Sequence, residues 1–189
     1  MSKSGNAAGI RPGAATKKLV YSAMGIALAL VTSYMKLWNM PMGGSVTLLS
    51  MFFICLIGYW FGAKYGIFAG AAFGLLQFII EPFILSVPQV LLDYPLAFGA
   101  LGLSGFFRNH KYGLQIGYLF GVLGRFVCST LSGVIFFASY APDGMNPWVY
   151  STLYQGSYLG TEAVLTLLII SIPPVTRALK QIKAQTTSV

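Results

Sequence analysis

Charged residues are scarce in this chain, and acidic residues are the scarcest of them. Of its 189 residues only 8% are charged, with 12 Lys and Arg against 4 Asp and Glu, whereas 56% are hydrophobic. Soluble domains carry about a quarter charged residues. The composition therefore excludes a soluble globule and indicates a membrane protein. Because a transmembrane helix needs about 20 apolar residues, the length allows five or six spans within one domain.

The residues that enzymes and metal sites use are also few. His110 is the only histidine, so neither a proton relay nor a metal site can be built on histidine. Cys55 and Cys128 lie in apolar runs without CxxC spacing, which predicts buried thiols rather than a disulfide or a metal site. The chain has no phosphate-binding loop of the P-loop type and no recognisable nucleophile motif. We therefore expect neither an enzyme nor an ATPase, with no metal and no cofactor.

The apolar runs define the expected fold, an all-α integral membrane protein built as a bundle of six transmembrane helices. The six segments are residues 19–37, 46–62, 65–80, 88–107, 112–137 and 148–172. A polar, basic tail at residues 1–18 precedes the six-helix transmembrane domain at 19–175, and a basic tail at 176–189 follows it. The short Gly62-Ala63-Lys64 link predicts that the second and third helices form a hairpin.

The basic residues predict the orientation. If the N-terminus is cytoplasmic, ten basic residues fall on the cytoplasmic side and only Lys36 lies in an outer connection. The ten are Lys3, Arg11, Lys17, Lys18, Lys64, Arg108, Lys111, Arg177, Lys180 and Lys183. This split requires an even number of crossings, so both termini are predicted to be cytoplasmic. The basic charge thus sets orientation in the cell membrane and does not indicate a nucleic-acid partner.

The fourth segment carries one acid, Asp93, directly before Tyr94. An ionisable residue inside a membrane segment is costly to bury and usually functional. Counting along the helices places Arg125 and Glu162 near the middle of the membrane and Asp93 closer to the outer side. We therefore expect Arg125 and Glu162 to pair and Asp93 to contact a ligand. A salt bridge between Asp93 and Arg125 is the alternative.

Aromatic residues cluster in or near the outer halves of segments three to six. They are Phe83, Tyr94, Phe136, Phe137, Tyr140, Trp148, Tyr150, Tyr154 and Tyr158. An interfacial belt accounts for some of them, Trp148 and Tyr140 first. Together with an acid, such rings also suit an aromatic cation. Residues 38–45 and 141–147 contain Pro and Gly, which is consistent with lids over a pocket or with plain turns.

Glycines recur at four-residue spacing in the third segment, at Gly66, Gly70 and Gly74, and in the fifth, at Gly113, Gly117 and Gly121. Small residues on one helical face let helices approach closely. Internal packing is the expected role of both stripes, and docking to another protein is the alternative.

Four stretches together resemble the thiamine-specific S component of energy-coupling factor (ECF) transporters. They are GGSV at residues 43–46, LLDY at 91–94, SGVIFFASYAPDG at 132–144 and WVYSTLY at 148–154. The resemblance covers nearly all of the chain after the N-terminal tail. It implies a six-helix membrane subunit that captures substrate and works with a transmembrane coupling subunit and two cytoplasmic ATPases.

The resemblance also implies roles for individual residues. The ligand-contacting acid and tyrosine fall on Asp93 and Tyr94, a stacking position on Phe137, a close-approach glycine on Gly133 and a ligand-facing tyrosine on Tyr150. Helix-one residues that face the coupling subunit fall on Ala23 and Ala27. Two positions depart from the family, Ser129 for a histidine and Gln155 for an asparagine, and Glu162 has no recognised counterpart. The predicted substrate-binding residues are Asp93, Tyr94, Phe83, Ser129, Gly133, Phe137, Tyr150 and Gln155.

The expected function is capture of thiamine from the outer side for uptake powered by the partner ATPases. Three alternatives remain open at this stage. The Ser129 and Gln155 departures favour a related thiamine precursor or another vitamin. An ion-coupled carrier would use Arg125 and Glu162 as its coupling pair, and a non-binding assembly subunit would use the glycine stripes.

Overall fold

Helices make up most of the computed structural model, which describes residues 12–41 and 44–187. The helices are α1 (Pro12–Ser33), α2 (Ser50–Phe61), α3 (Ala63–Ile80), α4 (Val87–Phe107), α5 (Gly113–Phe136), α6 (Pro147–Ser171) and α7 (Pro173–Thr187). Residues 1–11 of the predicted N-terminal tail lie outside the described residues, and so do Met42 and Gly43 of the first loop. Residues 12–18 of that tail belong to α1.

Four helical stretches are long and apolar enough to cross a membrane, namely residues 15–33, α3, α4 and α5. Helices α6 and α7 pass the same criterion as a pair, bent by 82°. Helix α2 is apolar but has only 12 residues, about 18 Å of helix. Residues 176–187, which the sequence assigns to a basic tail, lie in α7. The described chain therefore has seven helices, one more than the predicted bundle.

A two-stranded antiparallel hairpin lies between α1 and α2, formed by β1 (Lys36–Asn39) and β2 (Ser45–Thr47). Trp38 pairs with Val46 and Asn39 with Ser45. The first predicted segment therefore extends too far, and the second begins too early, so the all-α prediction is wrong here. Hydropathy cannot separate a short apolar strand from the end of an apolar helix, which explains the error.

Helix α4 is irregular at the position that matters for function. Its N-cap is Ser86, whose side chain accepts a hydrogen bond from the Gln89 backbone amide, and residues 92–96 form a π-helical turn that contains Pro95. Proline lacks the amide hydrogen that an α-helix uses, and a π turn accommodates that loss. Asp93 and Tyr94 lie within this turn.

The glycine stripes face α4 from both sides. A Cβ atom at Gly66 on α3 would lie 2.7 Å from Cα of Gly102, and one at Gly117 on α5 would lie 2.6 Å from the Ser104 carbonyl oxygen. Only glycine permits such close backbone contacts. The stripes therefore pack α3 and α5 against α4, which agrees with the expected internal role and leaves them unexposed.

Candidate ligand-binding site

A cavity of about 520 Å³ lies between α3, α4, α5 and α6. This volume is within the usual range for small-molecule sites. All eight residues that the sequence predicts to bind substrate line this one cavity, namely Asp93, Tyr94, Phe83, Ser129, Gly133, Phe137, Tyr150 and Gln155. The structure thus brings together residues that are up to 72 positions apart in the chain.

Helices α5 and α6 each supply one face to the cavity. On α5, Arg125, Ser129 and Gly133 follow one another at four-residue spacing and so share one side of the helix, and Phe137, the C-cap residue, continues the same spacing. A Cβ atom at Gly133 would lie 2.5 Å from Oγ of Ser151 on α6. The two helices therefore meet closely at this wall, which explains why glycine is required there.

Asp93 is held by a neighbour on its own helix. The side-chain amide of Gln89 donates to Asp93 Oδ2 at 2.6 Å, while Gln89 Oε1 accepts a hydrogen bond from the Leu85 amide at 3.0 Å. Gln89 is only 1% exposed, and both polar atoms of its side chain form hydrogen bonds within the protein. Among the described residues Asp93 forms no ion pair, which excludes the alternative salt bridge to Arg125. Its carboxylate remains open to a ligand.

Aromatic rings surround the rest of the cavity. Phe83 stacks on Phe137 with ring centroids 5.6 Å apart and 30° between the planes, and Tyr154 contacts Tyr150 at 6.1 Å. The Tyr94 hydroxyl accepts from the Phe83 amide at 3.1 Å and donates to the Glu81 carbonyl at 3.0 Å, which fixes the loop that carries Phe83. Ring faces beside a carboxylate suit an aromatic cation.

The predicted pair between Arg125 and Glu162 is wrong. The Arg125 guanidinium lies over the Phe98 ring, 4.0 Å from its centroid, and lines the cavity. The Glu162 carboxylate instead accepts hydrogen bonds from Thr47, Ser50 and Met51. Counting along the helices puts the two residues at the same depth, but it cannot reveal hydrogen-bond donors from the β-hairpin. Thr47 of that hairpin binds the Glu162 carboxylate in place of Arg125.

Comparison with known proteins identifies the family of this chain. The family described as thiamine transporter protein matches residues 19–182. The chain belongs to this family. The resemblance seen in the sequence motifs is thereby confirmed. Because it is a family of transporters, the prediction of a multi-pass membrane protein that is not an enzyme is confirmed as well.

Individual relatives cover most of the chain. The curated thiamine transporter ThiT of Bacillus subtilis is 33% identical over 162 residues, which is 77% of this chain and 84% of the relative. ThiT of Lacticaseibacillus paracasei is 29% identical over 55% of this chain and 60% of its own length. The solved structure of ThiT from Listeria monocytogenes superposes with a TM-score of 0.72 at 26% identity, covering 87% of this chain and 93% of that one.

Helix α1 carries the two alanines that are predicted to contact a coupling subunit. Gly25 packs against α2, because a Cβ atom there would lie 2.8 Å from Ile57 Cδ1. Ala23 and Ala27 are exposed on another side of the helix. Helix α1 therefore leaves both alanines accessible, and their contact with a coupling subunit stays a prediction.

Several residues of the cavity were not in the predicted site. They are Gln77, Glu81, Gln89, Phe98, Arg125, Tyr140, Ser151, Tyr154 and Tyr158. Helical spacing could have found three of them, because Gln89 precedes Asp93 by four positions, Arg125 precedes Ser129 by four, and Tyr154 follows Tyr150 by four. Of the aromatic cluster, Phe136 and Trp148 do not line the cavity.

Proposed function

We propose that this chain is the substrate-capturing membrane subunit of an ECF-type transporter and that it binds thiamine from the outer side. The observation that carries the proposal is the convergence of all eight predicted residues on one cavity with a carboxylate free of any ion pair. Membership of the thiamine transporter protein family supports the choice of ligand.

Thiamine joins an aminopyrimidine to a positively charged thiazolium ring, and the cavity offers a partner for each part. Asp93 accepts a hydrogen bond from the aminopyrimidine. Phe137, Tyr94 and Tyr150 stack on the rings and stabilise the thiazolium charge. These roles use aromatic and acidic groups together, as recognition of an aromatic cation requires.

Gln155 and Ser129 orient the ligand by hydrogen bonds. The Gln155 amide group donates to the Ser129 carbonyl at 3.4 Å, and its oxygen accepts from the Tyr158 hydroxyl at 2.5 Å. Gln155 thereby links α6 to α5 before any ligand arrives. A preorganised amide costs less to order on binding.

The energy for uptake comes from partner subunits in this proposal. The sequence contains no P-loop, so hydrolysis of ATP falls to two cytoplasmic ATPases that act through a transmembrane coupling subunit. The accessible Ala23 and Ala27 on α1 supply a flat surface for that subunit.

The test is a titration of the detergent-purified chain with thiamine, followed by tryptophan fluorescence from Trp38, Trp60 and Trp148. We expect saturable binding that Asp93→Asn weakens by roughly tenfold or more, because a hydrogen bond to a charged group contributes about 1.5–3 kcal/mol. Asp143→Asn is the matched control, since Asp143 is exposed outside the cavity. Absence of both binding and thermal stabilisation at micromolar thiamine would refute the proposal.

A related thiamine precursor is the second candidate ligand, because Ser129 and Gln155 both line the cavity where the family motif differs. A panel of the separate pyrimidine and thiazole halves distinguishes the two, since tighter binding of one half than of thiamine would select the precursor. The ion-coupled carrier loses its basis, because its pair of Arg125 and Glu162 is not formed. The assembly subunit loses its motive, because the glycine stripes face α4.

A further inference from the structure

Glu162 is a buried carboxylate that the proposed thiamine contacts do not use. It is 3% exposed on α6 and pairs with no basic residue in the described chain. Its oxygens accept four hydrogen bonds, from the Thr47 amide at 3.1 Å, Thr47 Oγ1 at 2.7 Å, Ser50 Oγ at 3.3 Å and the Met51 amide at 3.3 Å. Burying a carboxylate is costly unless its lone pairs are satisfied, and here donors from β2 and α2 satisfy them.

Helix α2 depends on Glu162 because it has no N-cap of its own. Leu49, the residue at the N-cap position, has an apolar side chain and a left-handed backbone, with φ 63° and ψ 15°. A leucine in this conformation is strained and persists only where its surroundings hold it. The Glu162 carboxylate accepts a hydrogen bond from the Met51 backbone amide and lies at the N-terminus of α2, the positive end of the helix dipole. It therefore takes the place of the missing N-cap side chain.

The hairpin that Glu162 holds also contacts the cavity wall. Lys36 on β1 forms an ion pair with Glu81 at 3.5 Å, and a Cβ atom at Gly44 would lie 2.6 Å from the Tyr158 ring. Glu81 and Tyr158 both line the cavity. The Lys36 ion pair is largely exposed, with side-chain exposures of 44% and 70%, so it holds the hairpin only weakly. The buried contacts at Glu162 are the stronger attachment.

We propose that Glu162 is a positioning residue that fixes the strained turn at Leu49 and β2 to α6 and thereby sets how long the ligand stays in the cavity. Glu162 follows Tyr158 by four positions on α6, so the attachment and the Tyr158 contact share one helical face. With the attachment intact, Gly44 stays against Tyr158. When it is lost, the hairpin separates from Tyr158 and opens a path for the ligand to leave. The residence-time part of this inference rests on the proposed function.

The test compares Glu162→Gln, Thr47→Val and the double variant. Glutamine keeps the shape but turns one acceptor oxygen into a donor, and valine removes the Thr47 hydroxyl at nearly constant volume. We expect each single variant to release thiamine roughly tenfold faster in stopped-flow fluorescence. The double variant should be no faster than Glu162→Gln alone, because both changes break one contact. Hydrogen exchange at the amides of positions 47 and 51 should accelerate in the same variants.

Thr166→Val is the matched control for general loosening of α6. Thr166 is buried one turn further along the same helix, outside the cavity, and 1% exposed. This variant should lower the melting temperature without changing either release or exchange. Wild-type release in Glu162→Gln, unchanged exchange, additive effects in the double variant, or equal acceleration in Thr166→Val would each overturn the inference. If the wild-type chain binds no thiamine, the proposed function fails, and exchange at positions 47 and 51 alone decides whether Glu162 holds the hairpin.

Discussion

Among single residues, Gln89 has the clearest indirect role, because it orients the acid that the ligand would contact. Its amide joins Asp93 on one side and the Leu85 backbone on the other, and it is almost fully buried. By holding Oδ2, Gln89 therefore restricts the orientation of the Asp93 carboxylate in the cavity.

We expect Gln89→Leu to weaken thiamine binding by roughly five- to thirtyfold. Leucine preserves the volume but removes the donor to Asp93. A hydrogen bond to a charged group contributes about 1.5–3 kcal/mol, and only part of this is lost from ligand affinity because the bond lies within the protein. Isothermal titration calorimetry measures the change. Gln115→Leu is the control, because Gln115 donates to the Ile170 carbonyl at 3.4 Å and does not line the cavity. Equal affinity in the Gln89 variant and the wild type would show that Asp93 needs no such support.

Among the structural elements, the π-helical turn of α4 sets the direction of Asp93 and Tyr94. The turn spans residues 92–96 around Pro95. Each extra residue in a helical turn rotates the following side chains by about 100° relative to a regular α-helix. The π-helical turn thus directs the adjacent side chains of Asp93 and Tyr94 towards the same cavity.

Replacing Pro95 should separate stability from binding. Pro95→Ala restores an amide hydrogen and improves helix propensity by up to about 3 kcal/mol, so the melting temperature should stay the same or rise. As the turn relaxes towards α-helix, Asp93 and Tyr94 rotate and thiamine affinity should fall roughly tenfold or more. Differential scanning fluorimetry and calorimetry measure the two quantities. Pro88→Ala is the control. Proline is well tolerated near the start of a helix, so replacing Pro88 should change neither the melting temperature nor the thiamine affinity. A Pro95 variant with both lower stability and full affinity would contradict this account.

The cavity-lining elements could be predicted better than the hairpin, for a physical reason. Helical spacing and the motif resemblance indicated the face of α5 that carries Ser129, Gly133 and Phe137, because those residues are neighbours on one helix. The attachment of Glu162 to Thr47 joins residues 115 positions apart, and no local pattern encodes such a contact. The sequence likewise showed Arg125 as an isolated buried cation, while its partner, the Phe98 ring, belongs to another helix.

In the whole molecule, the connections between helices divide into two groups at opposite ends. Lys183 on α7 donates to the Arg108 carbonyl, which brings α7 and the α4–α5 connection to one end. Phe83 stacks on Phe137, which brings the α3–α4 connection and the end of α5 together at the other. The first end carries the basic connections, and the second carries Glu81 and Asp143. The positive-inside rule therefore predicts that the first end is cytoplasmic.

This arrangement gives a direct test of the last two predicted crossings and of the predicted cytoplasmic C-terminus. In a background of Cys55→Ala and Cys128→Ala, single cysteines replace Asp143, Lys111 and Lys180, all of which are exposed. A maleimide that cannot cross the membrane should label the Asp143→Cys variant in intact cells, but the Lys111→Cys and Lys180→Cys variants only after permeabilisation. That pattern would show that α5 and α6 both cross the membrane, because Asp143 lies between the two helices and the Lys111 and Lys180 positions flank them. Labelling of the Lys180→Cys variant in intact cells would instead place α7 outside and reduce the crossings to five.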